Sequence, residues 1–90
     1  MFAIVVDDGD RQFYFAGWEG SDTAPEGGEM TYWKSSINDP EAYEFDDKIE
    51  AKIDLQLIRE TGLESAIGLP DNFNVFDSEF FIERVRANHD

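Results

Sequence analysis

The chain is predicted to fold as a small α+β domain, an antiparallel sheet of an N-terminal hairpin plus further strands packed against one main helix. Three observations predict it. A β-branched apolar run from Phe2 to Val6 leads into Asp7-Asp8-Gly9-Asp10 and then a second aromatic run, the pattern of a hairpin. One segment, Asp47 to Glu60, carries a cap residue and helix-forming composition. Thirteen aromatics among ninety residues supply burial that offsets chain entropy, although a net charge of −14 alone would suggest a disordered acidic tail.

The elements follow in order. Phe2 to Val6 is the first strand, and the Asp-Gly step turns the chain because glycine tolerates positive φ. Arg11 to Glu19 returns, with Phe13 and Phe15 on one face and Tyr14, Ala16 and Trp18 on the other. Aromatics on both faces mark a central strand or a binding surface. Gly20 to Glu29 holds three glycines, a proline and three carboxylates, and is expected to be a mobile loop. Met30 to Lys34 forms a third strand. Ser36 to Pro40 is turn chemistry, with Pro40 biasing Asp39 away from the helical region. Glu41 to Phe45 then extends briefly.

Local signals conflict between Asp46 and Glu60. Ile49, Ala51, Ile53, Leu55 and Leu57 alternate with polar residues, a period-two strand pattern. Against this, Asp47 and Glu50 are spaced as a capping box, and Gly62 offers a C-cap. Ile49, Ile53 and Leu57 stand at i, i+4, i+8, with Ala51, Leu55 and Ile58 broadening that apolar face. The Lys/Glu/Ala/Leu/Gln composition decides for helix. Leu63 to Leu69 adds a short turn before Pro70-Asp71-Asn72 breaks the chain. Phe80 to Val85 closes the sheet, and Arg86 to Asp90 is a frayed end. Length and the absence of repeats give one domain over residues 1–90.

Composition narrows the possible partners. The absence of cysteine excludes disulfides and thiolate metal sites and fits a reducing cytosol. The N-terminus lacks a basic n-region, and no apolar run approaches the roughly 18–20 residues of a membrane span. Nucleic acid and anionic lipid would be repelled. A compact chain of this mass exposes roughly 5,400 Å², about one net charge per 380 Å². Duplex DNA carries roughly one per 110 Å². Mimicry of a phosphate backbone therefore requires carboxylates gathered on one face.

No catalytic constellation is legible. His89 is penultimate, a poor place to hold a base rigidly. Without Cys or a second His, zinc hydrolysis and Cys–His schemes lack their parts. Asp7-Asp8-Gly9-Asp10 could attract calcium weakly, yet it lacks the spacing and distal Glu of an EF-hand and is read as a solvated turn. The expectation is a protein without enzymatic activity, cofactor or metal.

The carboxylates remain. On a helix, Asp47, Glu50 and Asp54 fall at i, i+3, i+7 and form one negative stripe with steps of about 5–6 Å, near the phosphate spacing of nucleic acid. The loop carboxylates Asp22, Glu26 and Glu29, with Asp39, Glu41, Glu44 and Asp46, could extend it, while Lys48, Lys52 and Arg59 would partly neutralise an ordinary solvated face. Trp18 and Trp33 are read chiefly as core, although Tyr and Trp such as Tyr14 and Trp18 are enriched in binding hot spots.

Trp33, residues 42–47 (AYEFDD), Ala51 and residues 81–85 (FIERV) together resemble small phage-encoded proteins. In those, a hairpin and a tryptophan-led strand lead through an A-x-x-F segment into one helix and a final strand. The segment from Leu63 to Phe76 departs from that pattern. The resemblance implies an α+β fold and inhibition of bacterial defence, as by anti-CRISPR proteins, in the host cytoplasm; it assigns no functional residue. The expected partner is a basic, nucleic-acid-binding defence effector, contacted through Asp47, Glu50, Asp54, Glu44, Asp46, Tyr14 and Trp18. The alternative is a phage accessory or virion-associated protein whose acidity serves solubility only.

Overall fold

A computed structural model describes residues 1–19, 30–62 and 66–85. The expected loop from Gly20 to Glu29, the frayed end from Arg86 and His89 lie outside the described residues. The sequence-predicted class is observed: among the described residues there is a five-stranded, mostly antiparallel sheet with one α-helix. The strands are β1 (Phe2–Asp7), β2 (Gln12–Glu19), β3 (Met30–Lys34), β4 (Ala66–Ile67) and β5 (Glu79–Arg84). Helix α1 spans Lys48–Leu57 and continues into a π-helical turn at Ile58–Gly62. In the sheet the order is β4-β3-β2-β1-β5, with β3 and β4 parallel and the other neighbours antiparallel.

β1 is held on both sides, by β2 and along six paired residues by β5. Ala3, Ile4, Val5 and Val6 are all fully buried, which is why this strand is a continuous apolar run. The hairpin turn forms as its Asp-Gly pair predicts: Gly9 has φ +100°, and Asp8 Oδ1 accepts the backbone N–H groups of Asp10 (2.9 Å) and Arg11 (2.8 Å). The side chain of Arg11 then bridges Asp8 (3.2 Å) and lies 5.5 Å from the Phe73 ring centroid. This fastens the hairpin to the segment before β5.

β2 corrects the simple alternation expected of it. A bulge between Phe15 and Gly17 inserts one extra residue, and Gly17 takes φ +118°. Pairing resumes with Trp18 opposite Thr31, so Trp18 returns to the face of Phe13 and Phe15 and meets Phe15 edge-on at 5.8 Å. The bulge also accompanies a lateral contact, the Tyr43 N–H donating to the Phe15 carbonyl (2.8 Å). Phe15 thereby becomes an aromatic hub, edge-on to Trp33 at 5.6 Å and stacked on Phe45 at 6.4 Å. The brief extension expected from Glu41 to Phe45 reduces to one bridge, in which Phe2 and Phe45 exchange two backbone hydrogen bonds (2.8 and 2.7 Å).

The core lies between the sheet and α1. Ile4, Val6, Phe13, Phe15 and Trp33 meet Phe45, Ala51, Leu55, Ile58 and Phe73 there. Two features of the later chain differ from expectation. Ala66–Ile67 is a short parallel strand rather than a turn, while Leu63 to Ser65 lie outside the described residues. Gly62 does not cap an α-helix; it ends the π-helical turn that follows Leu57.

Candidate interaction face

Helix α1 begins as its cap residue dictates. Asp47 is extended, and its Oδ1 accepts the Ile49 backbone N–H at 2.8 Å. Glu50 in the first turn adds negative charge where the helix dipole favours it. Both carboxylates therefore have a local structural role. Asp54 does not. It stands in the last turn of α1, where no basic residue is present and a carboxylate opposes the dipole.

The face that α1 buries is a correction to the sequence reading. Ala51, Leu55 and Ile58 point into the core at 0%, 8% and 0% exposure. Ile49, Ile53 and Leu57, expected to lead the apolar face, point outward at 65%, 56% and 44%. At about 100° per residue the two sets centre on nearly opposite poles of the helix. Ala51 presents the smallest side chain to the core, allowing the backbone of α1 to approach the sheet closely. The signal was in the sequence: strict alternation read on a helix steps about 200° each time and must place apolar residues on both poles.

The outward row has two unlike margins. By the same rotation Asp47, Glu50 and Asp54 share one flank, and Asp46 and Glu44 precede it in the chain. Asp46, Asp47 and Glu50 are exposed, while Glu44 and Asp54 are half-buried. Lys48, Lys52 and Arg59 occupy the other flank, where Arg59 Nη2 donates to the Phe80 carbonyl at 3.2 Å and ties that side to β5.

Tyr14 and Trp18 do not join this face. Tyr14 belongs to the sheet face away from α1, opposite Val5 in a cross-strand row that continues to Phe81. Partial burial, and secondarily the Glu83 carboxylate, push the Tyr14 hydroxyl pKa above its ordinary value. Trp18 is half-buried and packs against the core. Trp33 is core as expected, 2% exposed.

Elsewhere the carboxylates serve turns. Asp7 accepts the Gly9 N–H and the Gln12 amide, Asp39 accepts the Glu41 N–H, and Glu41 pairs with Lys34 at 2.9 Å. Among the described residues, no group of three or more His, Cys, Asp or Glu is placed to hold a metal ion. None of their helices is long and apolar enough to cross a membrane. With 5,732 Å² exposed, the net charge averages roughly one per 410 Å² over the whole molecule. No protein-family model matches the chain, and no curated protein or solved structure is significantly similar to it.

Proposed function

We propose that the chain acts without catalysis, by binding a basic surface that its partner otherwise uses for nucleic acid. In the most concrete form it is a phage-type inhibitor of a bacterial defence effector, of the anti-CRISPR kind that the sequence resemblance implies. The supporting observation is the acidic flank of α1, Asp47, Glu50 and Asp54, lying beside an exposed apolar row. Charge of this sign speeds encounter with a basic target and discriminates against acidic ones. The apolar row adds short-range contact that charge alone lacks.

One observation favours the alternative, an accessory protein whose acidity serves solubility. Asp7, Asp8 and Asp10 in the hairpin, and Asp71, Asp77, Glu79 and Glu83 near β5, spread negative charge well beyond α1.

The immobilised chain, exposed to bacterial lysate at ~50 mM salt and washed at ~500 mM, distinguishes the two readings. Basic DNA- or RNA-binding proteins that are retained at low salt, released at high salt and displaced by nucleic acid support the inhibitor. Retention of acidic proteins, or of nothing displaceable by nucleic acid, refutes it.

A further inference from the structure

We infer that the outward face of α1 docks an amphipathic, Lys/Arg-bearing helix of the partner, seated on Ile49, Ile53 and Leu57 and oriented by Glu50 and Asp54. The inference rests on the basic-partner function proposed above and specifies which segment of that partner is recognised.

Large hydrophobic side chains are exposed at five described positions, Tyr43, Ile49, Ile53, Leu57 and Ile67. Three of the five stand in one row on a ten-residue helix. Scattered exposed aliphatics are ordinary, but a contiguous row is characteristic of a contact surface. Their i, i+4, i+8 spacing makes a ridge of the kind that settles into the groove of a second helix. Ala51, Leu55 and Ile58 already satisfy the core, so the outward row is not needed to hold α1 on the sheet.

Charge selects the occupant. A second copy of this chain would bring another fourteen net negative charges to the contact and be repelled. A helix from a basic protein converts the same charge into attraction. The two margins fix how it lies: its Lys/Arg edge faces Glu50 and Asp54, and a neutral or acidic edge faces Lys48 and Lys52. A helix basic on both edges would meet like charge on one side, so the asymmetry supplies selectivity among cationic partners.

The test uses the full chain, isotopically labelled, and two synthetic peptides of about 18 Leu, Lys and Gln residues with identical composition. One is patterned as an amphipathic helix with Lys on one edge, and the other has the same residues shuffled around the helix. The patterned peptide is expected to bind at least about tenfold tighter, with amide shifts concentrated between Lys48 and Ile58. Ile49→Gln and Ile53→Gln should each cost about tenfold in affinity without moving the unfolding transition, since both side chains are exposed. Equal binding of the shuffled peptide, with shifts scattered over the surface, would overturn the inference while leaving a basic partner in place. Loss of binding on Ile53→Gln, but none on Glu50→Gln with Asp54→Asn or between ~50 and ~500 mM salt, would overturn the basic partner and with it the proposed function. A sedimenting dimer abolished by Ile53→Gln would put a second copy on the row and overturn the inference directly.

Discussion

Trp33 donates its indole N–H to the Thr31 hydroxyl over 2.7 Å, and both residues are enclosed in β3 at 2% and 0% exposure. A donor buried this completely must be paired, so a hydroxyl two residues away on the same strand face is part of what makes the tryptophan acceptable in the core. Thr31→Val keeps the shape and β-propensity but removes the acceptor. The unpaired indole N–H is expected to destabilise the fold by about 1–3 kcal/mol. Urea unfolding followed by tryptophan fluorescence measures it, and a loss below about 0.5 kcal/mol would show that the bond is dispensable.

Gly68 and Gly9 both have positive φ, +106° and +100°, but only Gly68 is crowded. A Cβ at Gly68 would collide with the Trp33 carbonyl oxygen, backbone that cannot simply swing aside; one at Gly9 meets nothing within 4 Å. Gly9→Ala should therefore cost only the conformational penalty, about 1–2 kcal/mol. Gly68→Ala carries that penalty plus displacement of β4 from β3. Its urea midpoint should fall clearly below that of Gly9→Ala, and equal midpoints would mean that β4 yields freely.

These contacts separate what was legible in the sequence from what was not. The hairpin was, because Asp8-Gly9 specifies a turn chemically and Phe2 to Val6 carries its own burial. The start of α1 was, because an Asp47 cap is a local interaction. The bulge at Ala16 was not: one inserted residue leaves the flanking composition unchanged, and Gly17 alone does not announce it. Trp18 consequently changed faces. β4 was missed because two residues carry no periodicity and are held by pairing with a strand more than thirty positions earlier. The binding candidates split for similar reasons. Asp47, Glu50 and Asp54 share a flank because helical spacing guarantees it, whereas the exposure of Ile49 and Ile53 was decided by which apolar set fitted the sheet.

Self-repulsion should govern the response to salt and pH. Net charge of −14 destabilises the compact state, so added NaCl is expected to raise the melting temperature at pH 7. Asp7 directly opposes Glu79 across β1 and β5, and like charges in that position repel. Glu79→Lys should raise the melting temperature and reduce its salt dependence. Acid acts in the opposite sense at the hairpin. The backbone N–H groups of Asp10 and Arg11, then the Arg11 side chain, hold Asp8 below its ordinary pKa of 3.8. The folded form therefore releases that proton more readily than the unfolded chain does. The resulting stability is complete above about pH 3.8 and disappears as pH falls below it through the folded value. Asp8→Asn should flatten that acid limb in pH-dependent thermal melts; an unchanged limb would place the titration elsewhere.

The final prediction separates a positioned contact from diffuse charge. Glu50→Lys with Asp54→Lys shifts net charge by four and reverses the acidic margin of α1. A control with the same charge change must avoid Asp7 and Asp8, whose oxygens hold the hairpin turn. Asp10→Lys with Asp71→Lys serves, since both side chains are exposed and neither stands on α1. Attraction at long range depends on total charge and would fall equally in the two double variants. Matching against a basic partner depends on position, so the α1 variant should lose at least about tenfold more affinity for proteins captured from lysate than the control does. Circular dichroism on both variants checks that the helix persists, because Lys at position 50 also places positive charge in the first turn, where the dipole disfavours it. Equal losses with intact folds would mean that no part of α1 is matched to the partner. The sheet face bearing Tyr14 would then be the surface to test, by Tyr14→Ala.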